Sequence, residues 1–144
     1  LKKGKKDDRE IFINKLSSTS TLSKLKKNSL FLKLKKIIFL IKNLITHSYT
    51  VKTFSIDNYF KKKNLKKTLL KIDTEGHEHQ VLLGAKNKLK SINFLLIENH
   101  FFDMYERNDK KKIYKFLKTH KFKEVKKFTF PLPYFQDILL KKEE

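Results

Sequence analysis

The sequence predicts an α/β fold, the second half of an open sheet. Three observations carry this. TLLKID (68–73) is a short, nearly continuous apolar run of the kind that a parallel strand buried on both faces requires. Glu78, Leu82, Ala85 and Leu89 then recur at helical spacing, so the chain passes from strand to helix through DTEG. INFLLIEN (92–99) is a second buried strand.

The remaining elements follow in chain order. EIFINKL (10–16) alternates apolar residues and predicts a strand, with SSTST after it as a polar loop. Leu30 to Ile45 is the most hydrophobic stretch, but its sixteen residues include Lys33, Lys35, Lys36 and Lys42, against the roughly 20 apolar residues of a membrane span. It is predicted to be an amphipathic helical insertion packed on the domain, with peripheral attachment to a membrane surface or an irregular insertion as the alternatives. VKTFSIDNYF (51–60) predicts a strand running into a short helix near Asp57. Asn108 or Asp109 can cap a helix whose Ile113, Phe116 and Leu117 form one face and which closes near His120. KEVKKFTF and QDILLKK, separated by Pro131 and Pro133, predict an antiparallel terminal pair.

Composition bounds the function. A chain of 144 residues can bury one core. The net charge of +20 attracts polyanions, yet of 35 basic residues only Arg9 and Arg107 are arginine, the residue on which base-edge and bidentate phosphate recognition draws most heavily. Lysine instead fills the exposed positions of nearly every element, and a dedicated nucleic-acid function is not expected. Without cysteine there are no disulfides or thiolate metal sites, and the expected compartment is the cytoplasm. LKKGKKDD lacks the apolar core of a secretory signal.

In open α/β sheets ligands sit beyond the carboxyl ends of the strands. Asp73, Glu75 and Gly76 follow one strand there, and Glu98, Asn99 and His100 end the next. Carboxylates so placed can accept a substrate proton or hold a cation. Capping of the following helix would explain Asp73 and Glu75, but it leaves Glu98 without a reason. GHEHQ fails the His-Glu-x-x-His zinc spacing because position 81 is valine, and His77 and His79 are expected at the surface, directed to different faces.

KIDTEGHEHQVLLGA followed by INFLLIENH resembles the FkbM-type methyltransferase segment K-I-D-x-E-G-x-E-x-x-V-L-x-G-A and the apolar strand ending in Glu that follows it. Thr53, Ile56 and Asp57 resemble the family's preceding segment, and KKGKKDDREIFINKLSSTSTL the stretch before that. The resemblance implies S-adenosylmethionine-dependent O-methyl transfer, commonly to sugar hydroxyls of glycans or secondary metabolites. It also implies the carboxyl-terminal part of a Rossmann-like class I methyltransferase fold, a mostly parallel sheet with an antiparallel terminal strand pair. The strands that hold the cofactor would precede residue 1. Asp73, Glu75 and Glu98 are then the expected catalytic residues, Asn99 and His100 the substrate contacts, and Gly76 a cofactor contact. Asp73, Glu98 and Asn99 resemble the metal ligands of catechol O-methyltransferases and are the expected divalent metal set. A lysine-rich binding module would instead bind polyanions in a salt-sensitive way without these carboxylates, and a noncatalytic remnant would fold poorly.

Overall fold

Apolar runs flanked by glycine and lysine set the framework of the computed structural model, which describes residues 7–15, 20–102, 104–106, 109–129 and 135–143. The described elements are β1 (Asp7–Asn14), α1 (Leu30–Ile38), β2 (Ile45–Thr53), α2 (Ile56–Tyr59), β3 (Leu69–Ile72), α3 (Glu78–Gly84), a 3-10 turn (Lys88–Lys90), β4 (Phe94–His100), α4 (Lys110–Thr119), β5 (Phe122–Thr129) and β6 (Phe135–Lys142). From β3 onward this is the expected alternation. Pro131, Pro133 and Asn108 lie outside the described residues, as does most of the serine-rich loop after β1.

Two sheets form. β1 and β2 make an antiparallel ribbon, and the second sheet has the order β3-β4-β6-β5. Only β3 and β4 run parallel within it; β4 with β6 and β6 with β5 are antiparallel. The expectation of a mostly parallel sheet is therefore corrected. Its cause is the last strand, which enters between β4 and β5 instead of adding to the edge and so replaces a parallel contact with two antiparallel ones.

The main core lies where α3 and α4 cover this sheet. Ile72, Leu82, Leu89, Ile92 and Leu95 are each at most 1% exposed, and Ala85, Ile97, Leu117, Phe122, Ile138 and Leu140 complete the cluster. Asp57 ties α2 to this body, its carboxylate accepting from the Asn87 and Lys88 backbone N–H groups.

The Leu30 to Ile45 stretch is only half a helix. Ser29 starts α1 by accepting a hydrogen bond from the Leu32 N–H at 3.3 Å. The helix ends at Ile38, Leu40 takes a left-handed backbone conformation (φ 51°), and Ile45 already belongs to β2. A left-handed residue cannot continue an α-helix, and β-branched Ile45 and Thr46 suit the ribbon. The stretch does pack on the domain, through a second small core of Leu32, Ile41, Leu44, Met104 and Tyr105. Among the described residues no helix is long and apolar enough to cross a membrane.

Candidate functional site

Parallel pairing of β3 with β4 brings Ile72 opposite Ile97, so the next residues, Asp73 and Glu98, stand side by side at the rim. Burial and strand ends thus deliver the carboxylates that the sequence pointed to. Antiparallel pairing adds Asp137 of β6 opposite Glu98. Burial first, then the hydrogen bond that the protonated carboxyl donates to Asp73 and repulsion from Asp73, Glu75 and Asp137, pushes Glu98 up to about 9. Asp73 moves the other way: its hydrogen bond with Glu98, aided by Lys71, holds it below the usual aspartate range. At neutral pH Glu98 therefore carries the proton and Asp73 the charge. Lys71 Nζ donates to Asp73 Oδ2 at 3.0 Å, an exposed pairing that contributes little on its own.

Glu75 leaves this pair and turns toward His100. The DTEG turn has two successive left-handed residues, Glu75 (φ 51°) and Gly76 (φ 88°). Only at Gly76 is glycine demanded twice, since a Cβ there would also lie 2.4 Å from Tyr105 Cγ. The turn is held from outside. Thr21 Oγ1 donates to the Glu75 carbonyl at 2.6 Å and Ser23 Oγ to the Gly76 carbonyl at 2.7 Å. Glu78 accepts from the Gly76 N–H at 2.9 Å. With its N–H, carbonyl and Cα face all engaged by the protein, Gly76 serves the turn.

His100 Nε2 lies 3.4 Å from Glu75 Oε2 and 3.7 Å from Glu98 Oε2. One donor atom from each of Glu75, Glu98 and His100 falls within 4.8 Å of the others. This set differs from the expected metal ligands Asp73, Glu98 and Asn99. Glu98 and His100, two apart in β4, share a face by the strand pleat, and Asn99 alternates away from them. The Tyr105 hydroxyl donates to Glu75 Oε2. Burial, and then the charge of Glu75, keeps that hydroxyl protonated well above the ordinary tyrosine range. Lys110 Nζ donates to the His100 carbonyl. A cavity of about 50 Å³ is bordered by Glu98, His100, Tyr105, Asp109 and Lys110. The first turn of α3 separates it from an open cleft of about 1150 Å³ bordered by Arg9, Ser55, Asp57, His77 and Gln80.

Sequence reasoning missed Tyr105 and the hydroxyls of Thr21 and Ser23, none of which sits in a periodic run, and it read Glu78 only as a helix position, not as the acceptor that holds the turn. It also misplaced two histidines. His77 is 9% exposed, with Ser23 Oγ 3.4 Å from its Nδ1, and His79 packs 3.7 Å from Asp109. They do point to different faces of the turn, as their spacing requires, but both are covered because the chain before α1 and the start of α4 close over them.

The family model of the methyltransferase FkbM domain matches residues 4–129. The chain belongs to the FkbM methyltransferase family. Within it, 54 residues are 43% identical to the hexuronic acid methyltransferase AglP of Haloferax volcanii, a match covering 37% of this chain and 23% of that protein. The matched chain thus spans about a quarter of that relative's length. No solved structure matches.

Proposed function

We propose that the protein transfers the methyl group of S-adenosylmethionine to an oxygen of a sugar acceptor, with Asp73 and Glu98 handling the acceptor's proton. Membership of the FkbM family supports methyl transfer, and the named activity of the archaeal relative supports a sugar, its hexuronic acid being the model for the acceptor class. The antiparallel terminal pair β5 and β6 accords with the carboxyl-terminal part of a class I methyltransferase fold.

The observation that carries the reading is the placement of two carboxyls, Asp73 and Glu98, side by side at adjacent parallel strand ends. When bound, S-adenosylmethionine supplies a methyl group already activated by its sulfonium. What this chain must add is alignment and a place for a proton. Asp73, ionised and exposed at the rim, fits both the neighbourhood of a sulfonium and the acceptor O–H. No glycine-rich turn for the cofactor's methionine end lies among the described residues. As the acceptor oxygen would bond to the methyl carbon and the sulfonium–methyl bond break to leave a neutral thioether, the hydroxyl proton would pass to the Asp73 carboxylate and on to solvent. Because Asp73 is a weak base, its larger contribution is to orient the hydroxyl, with Glu98 beside it at the neighbouring strand end.

The test is methyl transfer from labelled S-adenosylmethionine to uronic-acid glycans by the full-length protein. Asp73→Asn is expected to lower turnover about 100-fold or more with a melting temperature within a few degrees of the wild type. Wild-type turnover in that variant would sink the assignment.

A further inference from the structure

Three side chains at the rim converge on a point that none of them fills. Glu98 Oε2 and His100 Nε2 are buried and make no hydrogen bond. The side chains that carry them are only 7% and 10% exposed. A buried polar atom without a partner is uncommon in folded proteins and calls for a reason. Here two such atoms face one another at 3.7 Å, with Glu75 Oε2 3.4 Å from the same imidazole nitrogen.

Those spacings have a natural occupant. Nitrogen and oxygen ligands about 2.1 Å from a tetrahedral metal ion lie about 3.4 Å from each other, so small adjustments of Glu75 and Glu98 would bring all three donors onto one ion. The adjoining cavity of about 50 Å³ holds an ion and a water or two, and is far too small for a sugar. Tyr105 supplies the outer support that metal sites use, its hydroxyl fixing the same Glu75 oxygen that faces His100. Lys110 fixes the His100 backbone.

We propose that Glu75, Glu98 and His100 bind one first-row divalent transition-metal ion. An imidazole beside two carboxylates favours zinc, cobalt or manganese over magnesium and calcium, which take oxygen ligands. Three protein ligands leave coordination positions open toward the cavity for water. Nothing in this assignment depends on methyl transfer.

The experiment is a titration of chelator-stripped full-length protein with cobalt(II), followed by its visible spectrum, and with zinc, followed by calorimetry, without cofactor or acceptor. The net charge of +20 suppresses adventitious cation binding, which sharpens the readout. One equivalent should bind, and the cobalt spectrum should take the intense form of a low-coordinate nitrogen and oxygen site. His100→Ala and Glu75→Gln should each weaken binding about 100-fold or more, and Tyr105→Phe about 10-fold, because it removes the hydroxyl that holds the Glu75 oxygen. His47→Ala, in the β1-β2 ribbon, should change nothing. Absence of saturable binding by zinc, cobalt and manganese overturns the site, as does undiminished binding in His100→Ala. Should the variants fail to fold, the wild-type cobalt spectrum decides: the pale spectrum of the hydrated ion counts against the site.

Discussion

Two apolar stretches of this chain end on opposite sides of its surface. In β4, Leu95 is 0% and Ile97 3% exposed; at the end of α1, Ile37 and Ile38 are both 69% exposed, and Leu40 reaches 91%. Hydrophobic residues of one kind are thus core in the first place and surface in the second. What separates them is the number of neighbours that topology supplies. β4 has β3 on one side and β6 on the other, with α3 among the elements that cover the sheet. α1 has one neighbour, the small core it meets through Leu32 and Phe31, and nothing among the described residues covers the rest of it. Hydrophobicity is a condition for burial, and a second packed surface is what achieves it.

Leu95→Ala should break the first half of this contrast most severely, because a large cavity opens in a region that cannot collapse. A loss of about 2 to 5 kcal/mol is expected, read as a lower midpoint in urea unfolding. A pH-dependent effect is expected at the rim, where burial falls on a charge-bearing group. The unfolded chain releases the Glu98 proton near 4.5 and the folded one near 9, so between these values the folded state holds the extra proton. Stability must then decline as pH rises through that window. The depressed Asp73 acts in the opposite sense, losing its contribution only as pH falls below the ordinary aspartate range. Glu98→Gln should flatten the decline when unfolding is followed across this range with a chelator present; an unaltered slope would show that Glu98 is not its source. Least of all should happen at α1. Ile37→Ala and Leu40→Ala are expected to stay within about 0.5 kcal/mol of the wild type in the same urea experiment, and a loss like that of Leu95→Ala would mean that a covering surface exists.

The same contrast explains what could be read before the structure. β3, α3, β4, α4, β5 and β6 were legible because period and length report on local burial, and the pairing of Asp73 with Glu98 followed from two strand ends in one sheet. Position of β6 between β4 and β5 was not legible, since strand order is decided by tertiary packing and leaves no local period. α1 stops seven residues before the apolar stretch does, because composition continues where conformation changes at Leu40. Tyr105 escaped notice for a related reason: it lies outside every helix and strand, held to Leu25 by an isolated bridge. Glu75 was found by its motif, but its turn away from Asp73 depends on two left-handed residues and on hydroxyls far away in sequence.

Those hydroxyls have a consequence for the order of events in folding. Thr21 and Ser23 reach the DTEG turn across 54 and 53 residues of chain. Helices α3 and α4 need only local contacts, whereas closing so long a loop carries an entropy cost that must be met before the two hydrogen bonds reward it. The carboxylate rim is therefore expected to set late, after the sheet beneath it.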